Sequence, residues 1–220
     1  MPIPPPNTFL PKKGNYKNLI AYQKAECIYD ITYYFANKYL GPKDRTIDQM
    51  VQAARSGKQN IAEGAAAAST SSETELKLMN VARASLQELL VDFEDYLRVR
   101  GVQQWPLDDS RTKQTQMFCN KHTDSADYRN AIEQRSDEAI ANIAITLIHQ
   151  EDVVLRKLIE RLEKDFTESG GIRERMTAAR LGYRSIERAE IERLTAENNR
   201  LTQRVKYLEE QLRKLAPLDQ

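Results

Sequence analysis

The sequence predicts an all-α protein, and three observations lead to that fold class. Apolar side chains recur at intervals of three and four residues through most of the chain between residues 16 and 167. Glycine and proline number only 8 each in 220 residues, and five of the prolines fall within the first 11 positions. An apolar heptad repeat runs from residue 191 to residue 215. Long helices separated by short breaks are therefore expected.

Composition and charge limit the classes of function. Charged residues make up 30% of the chain and apolar residues 40%, which suits a water-soluble helical protein. The net charge of +1 gives no support to nucleic-acid binding by the protein as a whole. Residues 171–220, however, carry 11 basic and 8 acidic side chains. No leader-like segment opens the chain, and no apolar run approaches the ~20 residues of a membrane span. A cytoplasmic protein without a membrane partner is expected.

The first helix is expected from Tyr16 to Leu40, where Gly41-Pro42 stops it. The proline-rich residues 1–15 before it are expected to be extended, either as a tail anchored by Phe9 and Leu10 or as a proline-rich partner motif. The helix is dense in aromatic residues. These are interpreted as core or subunit interface, with a base-stacking surface as the alternative.

A second helix is expected from Asp44 to Glu63, followed by the small-residue connector Ala65–Ser71. Ser72-Glu73-Thr74-Glu75 has the pattern of a capping box, which predicts a third helix from Glu73 to Arg100. Gly101 fits the left-handed C-cap of that helix.

Residues 102–126 show no steady period and are interpreted as a long insertion with a short helix at Ser110–Cys119. Trp105 in this insertion is expected to clamp the loop onto the helices, with a ligand platform as the alternative. A fourth long helix is expected from Ala126 or Ala131 to Thr167, and Gly170-Gly171 ends it. At 1.5 Å per residue, such a helix is ~50 Å long and overhangs its neighbours.

The stretch Ser56-Gly57-Lys58-Gln59-Asn60-Ile61-Ala62-Glu63-Gly64, with Ser85-Leu86-Gln87-Glu88-Leu89 after it, resembles the bacterial four-helix bundle proteins named for intervening sequences in 23S ribosomal RNA genes. The segment 158–181 resembles the C-terminal suffix of a subfamily of these proteins. The resemblance covers residues 16–101 and 130–182. It implies an up-and-down four-helix bundle over residues 16–168 and a suffix segment over residues 169–188.

The polar residues of this motif are interpreted as structural. Asn60 and Glu63 are expected to bond to backbone or to a neighbouring helix, and Glu88 is expected to be a packed polar residue. A general-base role for Glu63 is the alternative, but a lone carboxylate without a second acid or a histidine gives little support to it. The set comprises Ser56, Asn60, Glu63, Gly64 and Glu88.

No catalytic or metal constellation emerges from the sequence. Cys119-x-x-His122 has metal-like spacing, but a zinc site needs about four ligands. No Glu-x-x-His pair is present for a di-metal centre, and no arginine lies four to six residues before His122 or His149, as in the helical ribonucleases called HEPN. A protein without enzymatic activity, cofactor or metal is expected.

An arginine series follows the double glycine. Residues 171–190 hold five arginines against three glutamates, and four of the arginines fall near one helical face. Such a face binds phosphate readily, although a solvated face with ion pairs to the acidic centre of the chain is the alternative. The candidate nucleic-acid-binding residues are Arg173, Arg175, Arg180, Arg184 and Arg188.

The accessory proteins of diversity-generating retroelements are similar to these bundles and are pentamers that engage nucleic acid and reverse transcriptase. That similarity implies RNA or DNA and a reverse transcriptase as candidate partners. The function expected from the sequence is an oligomeric scaffold or adaptor that binds nucleic acid or a nucleoprotein. A purely structural protein–protein interaction module is the alternative.

Residues 189–216 are predicted to form a leucine-zipper coiled coil. Leucine at each d position, with isoleucine, valine and one asparagine at a, favours a parallel two-stranded coil. The expected assembly is therefore a dimer or a multiple of it, rather than a simple pentamer. The predicted oligomerisation residues are Ile191, Leu194, Asn198, Leu201, Val205, Leu208, Leu212 and Leu215.

Overall fold

A computed structural model describes residues 15–215, and every regular element in that range is helical. The predicted all-α class is confirmed for these residues. The prediction of an extended proline-rich tail falls almost entirely outside them. A 3₁₀ turn, Tyr16–Asn18, is followed by α1 (Ile20–Tyr39), α2 (Thr46–Ala67), α3 (Ser72–Arg100), α4 (Ser110–Lys121), α5 (Ser125–Ile132), α6 (Asp137–Ser169) and α7 (Ile172–Leu215).

The described chain falls into two units. The first, called the bundle unit, ends at Ile172 and contains α1–α6; the second begins at Arg173 and consists of the rest of α7. The hydrophobic core lies in the bundle unit, between Ala21 and Ile159 in sequence. α1 packs on α2 and α6, and α3 also packs on α2 and α6, while the shorter α4 and α5 pack on α6 and α1. The bundle unit is therefore a helical bundle built around one core.

The aromatic residues of α1 divide between core and surface. Phe35 is fully buried, with its ring centroid 5.1 Å from that of Phe93 and 4.7 Å from that of Tyr96 on α3. Tyr33, by contrast, is 54% exposed. Phe35 therefore joins α1 to α3 across the core, since edge-on and tilted aromatic pairs pack favourably at these separations.

The junction of α2 and α3 differs slightly from the sequence prediction. α2 continues to Ala67, beyond the predicted end at Glu63, because the alanines that follow have the highest helix propensity. The N-cap of α3 is Ser71 rather than Ser72: its hydroxyl accepts a hydrogen bond from the Thr74 amide at 3.1 Å. Gly101 ends α3 with φ of 65°, as predicted.

The region predicted to start the fourth long helix contains two helices. α5 ends at Ile132, and α6 begins at Asp137 after Ser136, whose hydroxyl accepts a hydrogen bond from the Ala139 amide at 3.3 Å. Two acidic residues in the first turn of α6 favour a start there, because they complement the positive end of the helix dipole. A single helix from residue 126 or 131 to 167 is therefore wrong at its N-terminal end.

The loop before α4 is fixed to α6 by its tryptophan. The Trp105 backbone amide donates to the Asn142 side-chain oxygen at 2.8 Å, and the indole nitrogen donates to Glu138 at 2.8 Å. The Arg111 guanidinium lies over the indole ring, 4.7 Å from its centroid. Trp105 thus clamps the loop onto the bundle, as predicted, and the short helix predicted at residues 110–119 is present as α4.

The double glycine separates the two longest helices in sequence. Gly170 has φ of 68°, a left-handed value that favours glycine and ends α6 as predicted. α7 then runs for 44 residues without interruption, so the arginine series and the heptad repeat lie on one helix. Between residues 15 and 215, no helix combines the length and the apolar character needed to cross a bilayer.

Candidate functional sites

The sequence motif has one part on α2 and one part on α3, and its polar side chains form a contact between these helices. The hydroxyl oxygens of Ser56 and Ser85 lie 2.9 Å apart. The Asn60 side-chain amide donates to the Ser56 carbonyl oxygen at 2.8 Å and to the Ser56 hydroxyl at 3.1 Å. Asn60 therefore holds the Ser56 side chain in position for the contact with α3.

Two glycines of the same motif allow close approach of α2 and α3. A β-carbon at Gly57 would lie 2.7 Å from the Leu86 side chain, well inside van der Waals contact. A β-carbon at Gly64 would lie 3.0 Å from the Met79 side chain and 3.3 Å from Leu78. The motif therefore encodes helix packing, with Ser56 and Asn60 supplying the hydrogen bonds.

The two glutamates of the motif do not take part in this contact. Glu63 and Glu88 are exposed, and neither makes a hydrogen bond or an ion pair within the described residues. The prediction that they are packed or bonded polar residues is wrong. Both glutamates are exposed because they lie on a different face of their helix from the packed residues of the motif. Glu63 lies about 100° around α2 from Gly64, and Glu88 lies about 200° around α3 from Leu86.

A buried lysine and a buried glutamate interact electrostatically in the core, and the sequence interpretation missed both. Lys24 on α1 is 4% exposed; its ammonium group donates to the Cys119 carbonyl oxygen at 2.6 Å and to the Gln150 side-chain oxygen at 3.1 Å. Glu151 on α6 is 0% exposed, and its two carboxylate oxygens have no hydrogen-bond partner in the described part of the chain. The core of the bundle therefore contains two ionisable side chains.

Burial dominates the acid–base behaviour of this pair. It raises the pKa of Glu151 well above the usual value, which the positive charge of Lys24 only partly offsets. It also lowers the pKa of Lys24, against the opposing charge of Glu151. The sequence did carry a signal for Glu151: it stands three residues after Ile148 and four before Leu155, a core position of α6 occupied by a carboxylate.

Cys119 and His122, whose spacing resembles that of metal ligands, make other contacts in the structure. Cys119 is buried, and burial raises the pKa of its thiol. The His122 ring lies 2.7 Å from the Asp127 carboxylate through Nδ1 and is stacked on Phe118, with ring centroids 4.3 Å apart. These contacts hold the end of α4 to α5. Residues 15–215 contain no group of three or more His, Cys, Asp and Glu side chains that could hold a metal ion.

The arginine series lies in the first half of α7. Arg173, Arg180, Arg184 and Arg188, called the arginine face, are exposed, and none makes an ion pair with a glutamate of α7. At 100° per residue they span an arc of about 80°. Arg175 lies about 200° around the helix from Arg173, away from that arc, and is partly buried. Further along α7, Arg193 pairs with Glu190 at 2.8 Å.

The heptad residues lie in the second half of α7 and form an exposed apolar stripe, called the zipper stripe. The exposed fractions are 58% for Ile191, 51% for Leu194, 59% for Leu201, 52% for Val205, 46% for Leu208 and 68% for Leu212. The Asn198 side-chain oxygen accepts a hydrogen bond from Thr202 at 3.4 Å, which leaves its amide group without a bond in the described residues. The side chain of Leu215, the last predicted d residue, lies outside the described part.

No family model, no curated protein and no solved structure matches this chain. The motif in α2 and α3 is therefore interpreted from its own geometry, which is that of helix packing. The residues left for function are those that the fold exposes, and among them the arginine face and the zipper stripe are the most regular.

Proposed function

We propose that this protein is a homo-oligomeric helical scaffold, without a catalytic role, in which α7 joins two copies as a parallel leucine zipper. The observation that carries the proposal is the zipper stripe, a row of aliphatic side chains that a single copy leaves in water. Apolar surface of this extent on a regular helical repeat favours burial against a matching helix. A second copy of α7 supplies the match, residue for residue.

The choice of two parallel strands rests on the residues at the a and d positions. Ile191 and Val205 at a, with leucine at d, favour a parallel dimer. Asn198 at a is satisfied by the same residue of a parallel partner, which also fixes the register. Arg204 at g would face Glu209 at e of the partner, an attractive pair.

The bundle unit supplies the rigid part of this scaffold. The packing of α1, α2, α3 and α6 around one core fits the up-and-down four-helix bundle implied by the resemblance to the intervening-sequence proteins. That resemblance also supplies the alternative assembly, a pentamer. It is likewise the sole basis for a nucleoprotein partner such as a reverse transcriptase, and no contact in the described chain adds to it.

Light scattering on two matched variants tests the scaffold. Leu201→Glu places a charge in the zipper stripe, whereas Gln203→Glu places the same charge at the outward f position two residues later. The unmodified chain and Gln203→Glu should have about twice the 25.3 kDa mass of one chain, or an even multiple of it. Leu201→Glu should lower the mass. A closed pentamer unaffected by Leu201→Glu would contradict the proposal.

A second function, nucleic-acid binding, is favoured by the arginine face. Its four guanidinium groups are exposed and carry no ion pair within α7. Phosphate oxygens are good partners for such groups, because the guanidinium fork forms paired hydrogen bonds with them. We propose this face as a phosphate-binding surface.

A further inference from the structure

The arginine face and the zipper stripe lie in one continuous heptad register. Counting back from Ile191 at a, Arg184 falls at a, Arg180 and Arg173 fall at d, and Arg188 falls at e. α7 has no break between residues 172 and 215 that would turn one set away from the other. The side of the helix that carries leucines near its C-terminus therefore carries arginines near its N-terminus.

In the proposed parallel dimer, this change of residue type should open the coil. Arginines at inward positions of two facing helices bring like charges together, and burying them costs several kcal/mol per ion. Glu187, at the d position beside the first zipper residue, is the acidic side chain of this row and marks the point where apolar packing ends. On the N-terminal side of Glu187 the two helices then diverge, and each helix presents its arginine face toward the space between them.

We infer that this fork binds duplex DNA, with one α7 helix on each side of the double helix. The major groove of B-form DNA is wide enough to admit an α-helix. Helices that continue without a break from a zipper into a basic segment dock by forking across that groove. The inference rests on the proposed dimer, because a single α7 has no fork.

The same features argue against the other nucleic acids. The major groove of A-form RNA is too narrow for a helix, and double-stranded RNA is contacted mainly across its shallow minor groove. Single-stranded RNA and DNA are held by aromatic side chains on which the bases stack. Residues 172–190 contain one aromatic residue, Tyr183. A straight helix with arginines along one face therefore suits duplex DNA best.

The number of arginines sets how steeply the affinity should depend on salt. Each phosphate contact contributes about −0.9 to the slope of log K against log salt concentration, so eight arginines in a dimer give at most about −7 and four in one chain about −4. The three glutamates among residues 171–190 reduce the attraction. We therefore expect binding that is clear at low salt and weak at physiological salt.

Fluorescence anisotropy of the full chain tests the inference, with a labelled random-sequence duplex of about two helical turns and a salt series. Arg180→Gln/Arg184→Gln should weaken duplex binding more than tenfold at low salt and roughly halve the slope, since it removes four of eight contacts. Arg200→Gln/Arg213→Gln, an equal charge change at the outward positions c and b of the zipper, is the matched control and should have little effect. Leu201→Glu should also reduce the slope, toward that of one chain.

The outcomes separate this inference from the scaffold proposal. A dimer by light scattering that does not bind duplex DNA at low salt would overturn the inference and leave the scaffold intact. Tighter binding to single-stranded RNA than to duplex DNA would overturn it as well. Duplex binding with an unchanged slope in Leu201→Glu would show that no fork is involved. A monomeric chain would contradict the scaffold itself.

Discussion

The ammonium group of Lys24 on α1 donates a hydrogen bond to the backbone carbonyl of Cys119 on α4, at 2.6 Å and within the core. The two residues are separated by 95 positions in sequence. The bond therefore fastens the insertion that contains α4 to the first helix. A lysine at such a position is costly to bury, and hydrogen bonds to Cys119 and Gln150 offset part of that cost.

Lys24→Met should destabilise the bundle unit by about 1–3 kcal/mol. Methionine fills a similar volume, but the Cys119 carbonyl oxygen is left buried without a donor, and Glu151 loses its positive neighbour. Urea unfolding followed by circular dichroism measures the change. Lys17→Met, at an exposed position of the 3₁₀ turn, is the control. Equal stability of the two variants would show that the buried lysine contributes nothing.

The buried carboxyl of Glu151 should make stability depend on pH. Its pKa is raised in the folded protein, so the unfolded chain releases this proton at lower pH than the folded chain does. The stability contribution is therefore fully present below the unfolded pKa of about 4.3 and is lost as pH rises toward the folded pKa. The loss is at most about 1.4 kcal/mol per pH unit.

Glu151→Gln tests this dependence, because glutamine keeps the shape and cannot ionise. The positive charge of Lys24 lowers the pKa of the Glu151 carboxyl and the negative charge of Asp152 raises it, and both residues remain in the variant. Unfolding free energies between pH 4.5 and pH 8 should fall less steeply for Glu151→Gln than for the unmodified chain. Glu160→Gln, an exposed position on the same helix, should leave the pH profile unchanged. Parallel profiles for all three proteins would contradict a buried titrating carboxyl.

The fold was predictable where one helix could be identified from its own residues. The bounds of α3 agree with the sequence prediction to within one residue, because a capping serine and Gly101 mark its ends. The break before α6 also has a local signal, because Ser136 is followed by two acidic residues. The faces that the helices turn toward their neighbours were predicted less well. Glu63 and Glu88 were expected to bond to or pack against neighbouring groups, which they do not contact in the structure.

The core pair could not be predicted with both partners. Glu151 stands out as a carboxylate among core positions of α6, but nothing local indicates that Lys24 lies near it. Their proximity depends on how α1 and α6 pack, and Lys24 donates hydrogen bonds to Cys119 on α4 and to Gln150 on α6. Long-range polar contacts of this kind carry no periodic signal in the sequence.

Gly57→Ala tests the close approach of α2 and α3. The added methyl group would lie 2.7 Å from the Leu86 side chain, which is 2% exposed and has little room to move. The clash should cost about 1–3 kcal/mol and outweigh the gain of up to ~1 kcal/mol in helix propensity. Thermal unfolding should therefore show a lower Tm for Gly57→Ala.

The matched control for Gly57→Ala is Gly182→Ala on α7, where nothing lies within 4 Å of the new methyl group. It receives the same gain in helix propensity without the clash and should not lower the Tm. A stabilised Gly57→Ala variant would mean that Leu86 adjusts freely and that the glycine is not needed for packing.

Asn142→Ala should release the loop that Trp105 fixes to α6. The Asn142 side chain accepts from the Trp105 amide at 2.8 Å and donates to the Gln103 carbonyl oxygen at 3.1 Å, so alanine leaves both backbone groups unpaired. Trp105 is the one tryptophan in the chain, which makes its fluorescence a direct readout. The emission should shift to longer wavelength as the indole gains water. Asn130→Ala, at an exposed position of α5, should leave the spectrum unchanged.

In the proposed zipper, Asn198 favours two strands, and Asn198→Val separates stability from strand number. An asparagine at a costs stability in an apolar stripe, but its amide pairs with the same residue of one partner and so favours two strands. Valine removes both effects. The variant should unfold at a higher temperature than the unmodified chain. Light scattering should show larger species beside the dimer, because the preference for two strands is loosened but not removed.

Asn199→Val changes the neighbouring residue at the outward position b and supplies the control, with no expected change in mass. If Asn198→Val lowered the Tm and kept the same mass, Asn198 would not lie at an inward position of a coil. The register that aligns the zipper stripe with the arginine face would then be wrong, and the fork derived from it would fall with it.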